Sequence, residues 1–149
     1  MRIKDLDDFT QKGGAFLETN LDLSRGIIFA STAHAYQFRK GTTIPYIVHP
    51  FETAMILQKE KCSNDVVIAG LLHDILEDTT LTFDNIKNEF GEKIANMVVT
   101  CTEDKTLSWE ERKSGKISFL KSTKDEDIKR LACADKLSNI RSITIDLEK

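Results

Sequence analysis

The stretch Asp65-Val66-Val67-Ile68-Ala69-Gly70-Leu71-Leu72-His73-Asp74-Ile75-Leu76-Glu77-Asp78-Thr79 constrains this chain more than any other. It predicts a helix that begins near Asn64, runs to Asp78 and leaves at Thr79-Thr80. At about 3.6 residues per turn, His73 and Glu77 lie one turn apart, and so do Asp74 and Asp78. These four polar groups then share one face, roughly 140° wide. Leu71, Leu72, Ile75 and Leu76 take much of the remaining circumference. Three carboxylates so close on an apolar helix repel one another and resist burial. A bound divalent cation is the simplest thing that stabilises such a cluster. A His-Asp pair alone is more often a surface feature, so the rest of the chain must carry the argument.

The length, 149 residues, fits one domain spanning 1–149 with room for a sizeable core. A net charge of −3 gives no sign of general nucleic-acid binding. An acidic protein that handles phosphates needs a metal and local Lys or Arg to do so. Cys62, Cys101 and Cys133 are an odd set at long spacing, better read as reduced thiols filling apolar helical runs than as a disulfide framework. No apolar stretch approaches a membrane span, and Met1–Asp8 has no signal-peptide character. The expectation is a cytoplasmic protein that needs neither membrane nor nucleic acid, as a monomer or homodimer.

Helix signals dominate, and the expected fold is an all-α bundle of six to eight helices. Residues 5–20 are weakly helical and broken by Gly13-Gly14. A second helix should run from Asp22 or Ser24 to Lys40, with Gly41 as its stop. Pro45 holds the connector extended, and a third helix starts at Ile47 with Pro50 in its first turn. After the central helix, Thr82 opens a short amphipathic piece ending at Gly91, and another helix covers 94–99. Ser108 with Glu111, and Thr123 with Glu126, read as capping boxes for two further helices, the last reaching about Leu147. The β-branched runs Val98-Val99 and Ile143-Thr144-Ile145 are too short and isolated to build a sheet.

Two more segments bear on the metal. His49 stands just ahead of Pro50, where a rigid backbone can orient an imidazole. Asp135 lies in Ala132-Cys133-Ala134-Asp135, whose small residues permit close packing, so this Asp needs a partner. Lys136 or Arg141 can supply one on a solvated face, and so can a cation.

Arg39-Lys40, the run Pro45-Tyr46-Ile47-Val48-His49-Pro50, the run Leu71 to Thr79, and Ala134-Asp135-Lys136-Leu137-Ser138-Asn139-Ile140-Arg141 together resemble the hydrolase domain of the RelA/SpoT family, a branch of the HD-domain phosphohydrolases with small free-standing alarmone hydrolases among its members. The resemblance covers about residues 30–145. It implies removal of the 3′-pyrophosphate from ppGpp or pppGpp, usually with Mn²⁺. It also implies His49, His73, Asp74 and Asp135 as metal ligands, with Glu77 and Asp78 orienting and deprotonating the attacking water. Arg39 would stack on or bind the guanine end and Lys40 would contact phosphate, with Tyr46, Asn139 and Arg141 as further substrate contacts. Two neutral imidazoles and two carboxylates balance one divalent charge, and this mixed donor set suits Mn²⁺ or Fe²⁺ better than Mg²⁺. Ser138 departs from the pattern, standing where many relatives carry His. His34 is assigned no chemistry and is expected on a helix face.

Two other functions remain beside this one. The same metal chemistry on another nucleotide phosphate is the first. A non-catalytic nucleotide-binding regulator is the second, and Glu77 and Asp78 argue against it, because a binding module has no need of them beside the ligands.

Overall fold

The computed structural model describes residues 21–147. Helix α1, over 21–33 in that range, is followed by α2 (Val48–Lys59), α3 (Asn64–Leu72), α4 (Ile75–Asp78), α5 (Phe83–Phe90), α6 (Glu92–Cys101), α7 (Trp109–Ser122) and α8 (Glu126–Leu147). The all-α expectation holds. The one β feature among the described residues is an isolated antiparallel bridge between Phe38 and Pro45. The weak helix expected over 5–20 lies outside the described residues.

Helix α3 is the axis of the fold. Every residue from Val66 to Leu72 is buried, and α3 packs against α2, α6 and α8. Gly70 permits the close approach to α2, since a Cβ there would come within 2.6 Å of the Leu57 side chain. Helix α1 lies over the same core through Ala30, with Gly26 against Leu71. It is tied to α5 by Arg25, which donates to the Glu89 carboxylate at 2.8 Å, and by an edge-to-face contact of Phe29 with Phe90.

Several local expectations need correction. Helix α1 stops near residue 33 and does not run to Lys40. Tyr36 turns the chain with φ of 67°, and the following segment pairs backward: Tyr46 N–H donates to Gln37 C=O at 2.8 Å, and Arg39 N–H to Ile44 C=O at 2.9 Å. Gly41, at φ 73°, serves the turn of this small hairpin and does not stop a helix. Backbone pairing across the turn won over a helical pattern of similar strength.

The central helix does not run unbroken from 64 to 78. It is interrupted at His73-Asp74, where Asp74 has φ −95° and ψ −4°. His73 Nδ1 turns back to the Gly70 carbonyl at 2.8 Å, the acceptor an uninterrupted helix offers to the Asp74 amide. Last, Asp125 opens α8, its Oδ1 accepting from the amides of Asp127 (2.9 Å) and Ile128 (3.3 Å). Thr123, expected in that role, instead ends α7. Asp is at least as good a cap as Thr, and it sits where the chain has already turned.

The capping boxes at Thr82–Asn85 and Ser108–Glu111 are both formed. Cys133 is exposed and does not fill the core, because Leu131, Ala132, Ala134 and Ser138 take the inner face of α8. No described helix is long and apolar enough to cross a membrane.

Candidate metal centre and active site

Three parts of the chain bring ligand atoms of His49, His73 and Asp135 within 4.8 Å of one another, with Asp74 beside the two imidazoles. His49 comes from the first turn of α2, His73 from the end of α3, Asp74 from the break that follows, and Asp135 from α8. The His49 and His73 Nε2 atoms are 3.2 Å apart. Asp74 Oδ2 lies 3.1 Å from His73 Nε2 and 3.5 Å from His49 Nε2. Asp135 Oδ1 lies 3.3 Å from His49 Nε2 and 3.8 Å from His73 Nε2.

The outer bonds decide which way these groups face. His73 Nδ1 meets a carbonyl, which only accepts, so this nitrogen is a donor and Nε2 is the one that faces the cluster. Asp135 is held from behind by Lys136 on Oδ2 (2.8 Å) and by the Asn139 amide on Oδ1 (2.7 Å). Asp74 accepts from the Tyr46 hydroxyl at 2.7 Å. Two imidazole Nε2 atoms and two carboxylate oxygens thus converge on one small volume. Only a cation or a shared proton makes that arrangement favourable, so these residues fit a divalent metal.

The electrostatics follow from the same contacts. Burial alone would lower the His73 imidazole, but Asp74, by charge and hydrogen bond, and then Asp135 lift it above its ordinary value. Burial would raise the Asp74 carboxyl, yet the His73 charge and hydrogen bond hold it down at about 2. Asp135 is likewise held well below the carboxylate range, by His49, His73 and Lys136 against the opposing effect of burial. Tyr46 is pushed far up by burial and by the carboxylates it faces, so it remains a hydrogen-bond donor.

A proton on His73 Nε2 and a cation would occupy the same place, so the two compete. Metal uptake should release protons, and apparent affinity should rise with pH as His73 loses its proton. Calorimetric titrations with Mn²⁺ in buffers of different ionisation enthalpy measure the released proton. Uptake without release contradicts the raised His73.

Around this centre lies a cavity of about 330 Å³. Its lining includes Glu77, Asp78, Arg39, Tyr46 and Asn139, all expected from the sequence. Burial pushes the Glu77 carboxyl up, against the Glu103 amide that donates to it at 3.3 Å. Asp78 is more heavily engaged, with Lys105 Nζ at 3.0 Å on Oδ1 and the Tyr46 hydroxyl at 3.1 Å from Oδ2. The Arg39 guanidinium lies over the Tyr46 ring, 5.6 Å from its centroid, and donates to the Asn139 side chain at 2.8 Å.

Lys40 and Arg141 are not among the lining residues; Lys40 is exposed, and Arg141 faces Glu52 at 3.4 Å. His34 is buried and not on an open helix face, packed against Tyr46 with ring centroids 4.9 Å apart. The structure adds residues that sequence reasoning missed. Glu103, Arg112 and Lys113 line the cavity as a cluster, with Lys113 at 2.6 Å and Arg112 at 3.1 Å from the Glu103 carboxylate. Their signal was a dense run of charges from Glu103 to Lys116, indistinguishable in sequence from a solvated helix face.

A family model described as HD domain matches residues 27–148. The chain belongs to the HD-domain family. Within it, the chain is 39% identical over 118 residues to the Xenopus tropicalis guanosine-3′,5′-bis(diphosphate) 3′-pyrophosphohydrolase MESH1, covering 77% of this chain and 65% of the relative. It is 32% identical over 130 residues to a protein of the same enzyme name from Aquifex aeolicus, covering 86% of this chain but 18% of that longer relative. A solved structure, described as a metazoan ortholog of SpoT that hydrolyzes ppGpp, superposes with a TM-score of 0.75 at 33% identity, covering 83% of this chain and 71% of the other. This HD domain thus spans less than two thirds of the length of both named relatives.

Proposed function

We propose that the protein is a cytoplasmic, metal-dependent pyrophosphohydrolase that removes the 3′-pyrophosphate from ppGpp or pppGpp. One observation carries the reading: two imidazoles and two carboxylates converge at hydrogen-bond distances, with Glu77 and Asp78 in the wall of the same cavity. The enzyme names of the relatives support the substrate.

His49, His73, Asp74 and Asp135 would hold Mn²⁺, with Fe²⁺ the nearest alternative for this mixed nitrogen and oxygen set. When bound, such a cation supplies Lewis-acid polarisation of a phosphoryl oxygen and makes water a better nucleophile at neutral pH. The protein groups do the rest. Glu77, with its raised carboxyl, accepts the proton of the attacking water. Asp78, fixed by Lys105 and Tyr46, orients that water. The water attacks the phosphorus joined to the ribose 3′ oxygen; that P–O bond breaks, the 3′ oxygen takes up a proton to become the ribose hydroxyl, and GDP or GTP and pyrophosphate leave. Arg39 on Tyr46 offers a planar cation to the guanine end, with Asn139 aligning it. Lys113 and Arg112 offer charge for the phosphates.

The test is to incubate the Mn²⁺-loaded chain with ppGpp, pppGpp, GTP and a set of deoxynucleotides and to identify the products. GDP and pyrophosphate from ppGpp are expected. Turnover of another nucleotide alone moves the substrate, and tight ppGpp binding without product makes the protein a regulator.

A further inference from the structure

His49 can give its Nε2 lone pair to a cation only if Nδ1 carries the ring proton. For His73 the backbone settles the matter, through the Gly70 carbonyl. For His49 the partner of Nδ1 is the Ser138 hydroxyl, at 2.9 Å. A hydroxyl is ambiguous: it can accept from Nδ1–H, or donate to Nδ1 and drive the proton to Nε2. The ambiguity is removed from behind. Ser138 Oγ lies 2.8 Å from Glu52 Oε2, and a carboxylate has no proton to give. The single hydroxyl proton of Ser138 therefore goes to Glu52, and its oxygen is left to accept from His49 Nδ1–H. Glu52 is one helical turn beyond His49 on α2, and its other oxygen faces the Arg141 guanidinium at 3.4 Å. Ser138 is buried, and a second cavity of about 90 Å³, separate from the catalytic one, is walled by His49, Glu52 and Ser138.

We propose that Glu52 is a positioning residue for the metal centre, acting through Ser138 to hold His49 as the Nδ1–H tautomer. Arg141 belongs to this relay by anchoring Glu52. The proposal rests on reading His49 as a ligand, and it explains how a small Ser serves at position 138: the carboxylate behind it supplies the direction that a hydroxyl lacks.

The experiment uses the full chain and Mn²⁺ alone, with no nucleotide. Mn²⁺ affinity is titrated for wild type, Glu52→Ala, Glu52→Gln, Ser138→Ala and Ser138→Thr. The His49 tautomer is read in the metal-free protein at a pH above 8 from long-range ¹⁵N–¹H correlations of its ring. Glu52→Ala and Ser138→Ala should each weaken Mn²⁺ about 10- to 100-fold, the usual cost of losing a group that orients a ligand. In Glu52→Ala the ring should shift toward Nε2–H. Ser138→Thr keeps the hydroxyl, has the small cavity beside it for the added methyl, and should stay near wild type. Glu52→Gln keeps the size, but its amide can donate to Ser138, so it should weaken Mn²⁺ even with the fold intact. Unchanged affinity and an unchanged Nδ1–H ring in Glu52→Gln and Glu52→Ala overturn the relay. Wild-type protein that takes up no Mn²⁺ overturns the metal reading instead, while the tautomer still tests the relay by itself.

Discussion

Changing Glu77 to Gln and Asp78 to Asn together should lower ppGpp hydrolysis by roughly 10²–10⁴-fold, the usual range for losing a general base, while metal content stays at the wild-type level. Both side chains border the His49, His73, Asp74 and Asp135 cluster in one cavity, and both already have partners of their own. The amides keep size and an accepting carbonyl oxygen, while each removes the negative charge and the basic oxygen. The two positions should also divide unequally. Lys105 and Tyr46 engage Asp78, whereas Glu77 is lifted by burial with Lys105 at 3.8 Å from its Oε1. Glu77→Gln alone should therefore cost more in kcat than Asp78→Asn. Steady-state rates beside metal analysis of the same samples check this. Loss of metal in the double variant would make these residues ligands, and wild-type turnover would place the base elsewhere.

Asp135→Asn should remove metal and activity together, with at least about a 100-fold weaker Mn²⁺ affinity, beyond the range seen for groups that only orient a ligand. Asp135 Oδ1 faces both imidazoles, and Lys136 and Asn139 aim it. An amide in its place withdraws one negative charge and can turn an N–H toward the cation. The apo fold should persist, because the buried apolar face of α8, Leu131 and Ala134, is untouched. Equilibrium dialysis against Mn²⁺, followed by circular dichroism of the same sample, separates the two effects. A variant that keeps its metal removes Asp135 from the ligand set.

The helices were legible because their signals are local. The caps at Thr82 and Ser108, the Pro50 start of α2 and the apolar run of α3 act within a turn or two of the chain. The end of α1 was not legible, because the pairing of 37–39 with 44–46 competes with a helical pattern that reads just as well. The His73-Asp74 break was hidden for a related reason. It depends on a side chain, His73, taking a backbone carbonyl, and a hydrophobic pattern does not record that competition.

The candidate site residues could be named from the sequence alone. Residue types suited to a divalent cation recur at His49, His73-Asp74 and Asp135, with Glu77 and Asp78 one turn beyond the pair. Only the tertiary structure decided what surrounds them. Arg141 and Glu52 are 89 positions apart, as are His49 and Ser138, and no periodicity links them. Glu103 and Lys113 line the cavity, and Lys105 reaches Asp78 in its wall, because the segment after α6 folds back beside it. The donor chemistry of a candidate ligand is a property of single side chains and survives in the sequence. The proton on a ligand's far nitrogen and the pKa of a neighbouring base are set by contacts across the fold, so they exist only once the chain has closed around them.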